Sequence, residues 1–172
     1  MLLMWYQLRN AAILEGFPEY ARYEGLAEQI RIFENDFING LLQTRGYVTA
    51  LQMGFVRQGA ATQKLAEERI EFRLARQRLL DRSSPPLLHV VLDESCLRRA
   101  VGGRDVMIEQ LLHLERMSTR RDVIIQIAPF SLGEERPFTH MTALLIAVDA
   151  LGQAESRAFI RAARRDLEWM ST

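Results

Sequence analysis

The chain has 172 residues, 48% of them hydrophobic and 26% charged, with 22 basic residues against 22 acidic. This length fits one domain, 1–172, able to bury roughly 70% of the surface its unfolded chain exposes; the ordinary hydrophobic and charged fractions speak against general disorder, and the charge balance excludes a net positive field that would gather nucleic acid or anionic lipid. The single cysteine, Cys96, excludes an internal disulfide and a cysteine-based zinc site, so a reducing, cytoplasmic compartment is expected.

The segment Met1–Leu8 is too short and lacks the basic start of a secretion signal, and no run approaches the ~20 apolar residues of a membrane span. Trp5, Leu8 and Ala12 recur at helical spacing, and Gly16 with Pro18 closes that first helix. Leu26, Ile30 and Phe33 mark a second helix, with Tyr23 and Ala27 beside the stripe. A third follows Asn39-Gly40, with Val48, Leu51 and Phe55 on one face, and a fourth runs from about Thr62 to Leu80. The run Asp81–Pro86 then breaks the chain.

Beyond that break the pattern changes. Leu87–Leu92 is a continuous apolar run of strand length, the mark of a strand buried on both faces. A short helix over Glu94–Arg99, the turn Gly102-Gly103, a helix through Met107, Leu111 and Leu114, and a second strand over Val123–Ala128 follow. Strand, helix, strand predicts a right-handed βαβ unit. Thr142–Val148 is a third candidate strand, and a final helix spans about Gln153 to Trp169. The expected fold class is therefore α+β: a helical half, about 1–82, packed on a small mixed sheet in an α/β half, about 87–172, with a C-terminal helix.

Asp93-Glu94 closes the first strand, at the edge where parallel sheets gather ligands and acid–base groups; the plainer role for Asp93 is to cap the helix that follows. His89, inside an apolar run, reads as a hydrogen-bonded buried histidine, and His113 as an outward-facing one. His140 ends the polar loop Arg136–His140 and is the best histidine candidate for catalysis or ligand binding, the plainer reading being an ordinary loop residue. No histidine pair has metal-ligand spacing, so no metal or cofactor is expected. Gly102-Gly103 lacks the context of a phosphate-binding loop and reads as a helix stop and start. Cys96 reads as a small core residue.

Arg69, Arg73 and Arg76 form one helix face, and Arg157, Arg161 and Arg164 another. Glutamates interleave with both sets, so ion pairs within each helix explain them better than a nucleic-acid stripe. The aromatics crowding the first third suggest core packing, or the lining of an apolar small-molecule pocket.

Several runs resemble a known family. Gly40-Leu41-Leu42-Gln43-Thr44 with Tyr47, Glu68-Arg69-Ile70 continuing to Gln77, Val91–Glu94 with Leu97-Arg98-Arg99 and Gly102-Gly103, and Val123–Phe130 with Gly133 and Phe138 stand in the family's order. The family is the C-terminal, antitoxin-like domain of actinobacterial helix-turn-helix regulators of the Cro/XRE type, and the resemblance covers about residues 5–148. Asn39 departs from the family's usual proline, and the DNA-binding domain that precedes the family is expected to be missing here. The resemblance implies a regulatory domain that senses a small molecule or a protein partner, without direct contact to nucleic acid or membrane; a homodimer stays open. The expected ligand contacts are Trp5, Leu42, Gln43, Tyr47, Arg98, Gln126 and Phe138. The alternative is a small biosynthetic enzyme of cyclase or isomerase type on the same scaffold, using Asp93, Glu94 and His140 as acid–base groups.

Overall fold

The computed structural model describes residues 17–132 and 151–169. The chain runs α1 (Phe17–Leu26), β1 (Gln29–Glu34), a 3-10 turn (Gly40–Leu42), α2 (Arg45–Arg57), α3 (Gln63–Gln77) and a second 3-10 turn (Arg78–Asp81). It continues with β2 (Leu87–Asp93), the four-residue α4 (Ser95–Arg98), α5 (Arg104–Met117), β3 (Val123–Ala128) and α6 (Gln153–Trp169). The class is α+β, as the sequence predicts. The first predicted helix and the third candidate strand lie outside the described residues, as do Trp5, Phe138 and His140.

The three described strands form one parallel sheet in the order β1-β2-β3. Ile30 sits opposite Leu88, and Val90 opposite Ile125. The apolar run of β2 is thus the central strand, paired on both sides, which explains its lack of alternation. Two strands were expected in this part of the chain, and β1 is the addition. Leu26, Ile30 and Phe33 do not share a helix: α1 stops at Leu26, and Gln29–Glu34 is extended. Along β1 the buried residues are Ile30 and Ile32, while Gln29 and Arg31 are exposed, a period of two that belongs to a strand.

One face of the sheet, through Ile30, Ile32, Leu88, Val90, Leu92, Val123, Ile125 and Ile127, joins a continuous apolar cluster with Leu41, Leu42, Tyr47, Met107, Leu111, Leu114, Ile160 and Ala163. That cluster draws side chains from both sides of the Asp81–Pro86 break. On the opposite face a small second cluster gathers Val91 and Ala128 with Phe33 and Leu132. There His89 Nε2 and Gln126 Oε1 are 2.5 Å apart, so the histidine is hydrogen-bonded and half-buried. His113 is half-buried too, and burial lowers its pKa, with Arg116 adding to the effect.

The arginine stripes find their partners on other elements. Arg161 and Arg164 of α6 both reach Glu115 of α5, at 3.4 and 2.8 Å, and Arg164 adds a pair within its helix, to Glu168 at 2.6 Å. Arg76 of α3 grips Glu24 of α1 with two 2.8 Å bonds, and Glu71 of α3 meets Arg45 of α2 at 2.6 Å. The expected pairing within each helix is therefore largely replaced by pairing that staples helices together.

Candidate functional site

In a parallel sheet the carboxyl ends of the strands leave backbone groups unpaired and face the loops, so polar side chains collect there. Here β1 ends at Glu34 and β2 at Asp93. The chain after β1 turns back through Asn39, whose Nδ2 donates to Glu34 Oε1 at 3.0 Å and whose Oδ1 accepts from Leu41 N at 2.9 Å. Cys96 Sγ lies 3.5 Å from the Glu34 carbonyl oxygen, and Ser95 Oγ donates to the Asn35 carbonyl at 2.8 Å. Tyr47 reaches into the same corner, its hydroxyl accepting from Ile38 N at 3.2 Å. Arg99 closes the rim over the Phe37 ring, 5.8 Å from its centre.

Two ionisable groups of this corner are held neutral. Burial pushes the Cys96 thiol up to about 12, and the Glu34 and Asp93 carboxylates raise it further. Burial likewise pushes the Tyr47 phenol up to about 12, against the lowering effect of the Ile38 amide. A thiol is nucleophilic as thiolate, so Cys96 is a packed core atom at neutral pH, as the sequence predicts. Native protein at pH 8 is therefore expected to label far more slowly with a thiol-specific disulfide reagent than protein in urea. Equal rates in the two states would show the thiol to be open.

Asp93 Oδ1 accepts from Ser95 N at 2.8 Å, the local turn that an aspartate makes just before a helix. Glu94, only 9% exposed, accepts from Arg98 Nε at 3.0 Å and from Phe130 N at 2.9 Å. It thus ties the end of β3 to α4. Arg98 also reaches Asp166 of α6 at 2.7 Å and lies over the Phe159 ring; these bonds, Asp166 first, raise its already high pKa. Gln126 is held between His89 and the Leu151 carbonyl.

The run Gly40–Thr44 forms the wall behind the corner. Leu42 and Tyr47 are completely enclosed. Gln43 is buried and donates through Nε2 to the Ile38 carbonyl at 2.6 Å. Side chains from two helices satisfy the backbone of this run. Gln77 Nε2 donates to the carbonyls of Gly40 and Gln43. Gln110 Nε2 donates to the Leu42 carbonyl, while Gln110 Oε1 accepts from Thr44 N, both at 2.7 Å. The structure brings Leu42, Gln43, Tyr47, Asp93 and Glu94 to one end of the sheet, and leaves Gln126 on its opposite face and Arg98 against α6. Sequence reasoning did not assign Glu34, Asn39 and Gln110 to the site; their partners are 5 to 68 residues distant along the chain, and the folded arrangement of β1, the 3-10 turn and α5 brings them together.

Fold and site together define a small α+β domain: a parallel sheet with a partly neutral polar corner at its carboxyl edge and a glutamine-braced loop behind it. The chain belongs to the family described as a domain of unknown function (DUF5753), which matches residues 17–160. No curated protein and no solved structure matches the chain. Among the described residues no group of three or more His, Cys, Asp or Glu is placed to hold a metal ion, and no helix is long and apolar enough to cross a membrane.

Proposed function

We propose that this chain is a regulatory-type binding module of the cytoplasm, of the kind that accompanies the helix-turn-helix of actinobacterial Cro/XRE regulators, and that it takes a small, largely apolar molecule without contacting DNA itself. The observation that carries this reading is the engagement of the acidic pair at the sheet edge. Asp93 closes a turn on Ser95 N, and Glu94 bridges Arg98 and the Phe130 amide. A general acid or base must reach the proton it moves; both Glu94 oxygens are engaged, by Arg98 Nε and Phe130 N, and Asp93 spends Oδ1 on its local turn. A balanced charge, 22 against 22, likewise gives no field that would hold a duplex.

The test has two arms. In fluorescence anisotropy with a 30-base-pair duplex at low salt, no saturable binding is expected at protein concentrations of roughly 100 µM, the weak end of non-specific DNA affinity. In thermal denaturation with a panel of neutral compounds of one to three fused rings, at least one is expected to stabilise the fold, by about 2.7 kcal/mol at a hundredfold excess over its Kd. Salt-sensitive duplex binding, or no stabilising compound with a protein partner captured instead, overturns the reading. Turnover of the stabilising compound that stops in Asp93→Asn or Glu94→Gln puts an enzyme in its place.

A further inference from the structure

A cluster of guanidinium groups on α3 stands beside the same corner with too little negative charge around it among the described residues. Arg69, Arg73 and Arg76 occupy successive turns of one face of α3. Arg76 has its carboxylate, Glu24. Arg73 is half-buried against Gly40, with its Cδ 3.5 Å from where a Cβ would stand there. Among the described residues its one hydrogen bond goes to a neutral acceptor, Gln43 Oε1, at 3.3 Å. Arg69 Nε is buried with no hydrogen-bond partner among the described residues. Burial lowers the Arg73 pKa to about 10, with Arg76 and Arg69 adding to the fall and Glu34 opposing it. The group is charged at neutral pH all the same.

Buried cations in folded proteins are normally paired, and buried polar hydrogens normally find acceptors. Among the described residues the three guanidiniums meet two carboxylates, Glu24 by contact and Glu34 through its field, which leaves one positive charge over. We infer that Arg73, with Arg69 one turn before it, forms a subsite for a singly charged carboxylate on an otherwise apolar ligand. A guanidinium offers five N–H donors in a planar fork that fits a carboxylate with two parallel bonds. Arg73 uses one of them on Gln43. A single uncompensated charge matches a monoanion and leaves a phosphate dianion over-charged. The inference rests on the proposed binding role and gives its ligand an acidic end, held beside the Gly40–Gln43 wall.

The probes are benzoate, its neutral analogue benzamide, and inorganic phosphate, each titrated against the full chain by thermal denaturation and by 15N-detected NMR of arginine side chains. Benzoate is expected to raise Tm with saturation and to shift the Arg73 Nε resonance, benzamide to do at most a tenth as much at equal concentration, and phosphate to bind more weakly than benzoate. Arg73→Gln is expected to remove the benzoate response at least tenfold, and Arg69→Gln to weaken it. Arg78→Gln, an exposed change beyond the end of α3, should leave it intact. Arg73→Lys keeps the charge, loses the fork, and should recover only part of the response, which separates recognition from a loss of folding. Benzamide matching benzoate, or an undiminished benzoate response in Arg73→Gln, overturns the carboxylate subsite while the apolar-ligand reading stands. Phosphate binding more tightly than benzoate overturns the monoanion assignment. No saturable benzoate response in a wild-type chain stabilised by a neutral fused-ring compound also overturns the subsite alone.

Discussion

Gly102→Ala is expected to destabilise the protein by about 2–5 kcal/mol. Two separate costs add. Gly102 has φ +75°, the left-handed region, where an L side chain loses roughly 1–2 kcal/mol. A Cβ there would also stand 2.7 Å from Ala50 Cβ and 2.9 Å from Val106 Cγ1, both closer than carbon atoms approach. Overpacking of that kind costs about 1–3 kcal/mol when backbone must shift to relieve it. Ala50 is on α2 and Val106 in the first turn of α5, so the glycine is where these helices draw together. Gly59→Ala supplies the control. It shares the sign of φ, at +71°, but a Cβ there meets nothing within 4 Å. Urea unfolding of both variants separates the backbone cost from the clash: the Gly59 variant should lose about 1–2 kcal/mol and the Gly102 variant clearly more. Equal losses would mean that α2 and α5 are not in close approach at this point. Adding Ala50→Gly to Gly102→Ala should recover part of the deficit, beyond what two independent changes would give.

The turn at Gly102-Gly103 was legible in the sequence because glycine pairs punctuate helices, and Gly103 does precede α5 with a positive φ. The apolar strands were legible for a similar reason: β2 and β3 lie at 87–93 and 123–128, because a short apolar run bounded by a Pro-rich break or a polar turn has few other places to go. β1 was not legible. Its six residues alternate only twice, and Leu26, Ile30 and Phe33 imitate a helical face; the strand is fixed by its register against β2, which is non-local information. The same holds for the arginine stripe on α3. Local spacing offered Glu67, Glu68 and Glu71 as partners, yet Arg76 pairs with a residue 52 positions away and Arg73 with one 30 away. Asp93 and Glu94 could be located from sequence at the end of a strand. That Asp93 Oδ1 is taken by Ser95 N and both Glu94 oxygens by Arg98 and Phe130 N depends on how the loops close.

The braced loop behind the corner gives the second large effect. Gln110→Leu is expected to cost about 2–6 kcal/mol, although leucine is an apolar residue that belongs in a core. Gln110 is fully buried and joins the Leu42 carbonyl and the Thr44 amide through one planar amide group. Leucine removes both partners at once and leaves a buried acceptor and a buried donor unpaired, at about 1–3 kcal/mol each. Gln110→Glu distinguishes this account from a simple packing defect. A carboxylate can still accept from Thr44 N, but facing the Leu42 carbonyl it must hold a proton to donate. The folded protein would therefore raise the pKa of Glu at 110 above its unfolded value of about 4.3. Its stabilising bond is present in full below that value and is lost as pH rises through the folded pKa. The deficit of Gln110→Glu relative to wild type, measured by urea unfolding at each pH, should be smallest near pH 4 and widen toward neutrality, while that of Gln110→Leu stays flat. A pH-independent gap for the glutamate variant would show that the bond to Leu42 contributes little. In that case the Gly40–Thr44 wall, which also backs the Arg73 guanidinium, would depend on its other bonds, from Gln77 to the Gly40 and Gln43 carbonyls and from Thr44 N to residue 110.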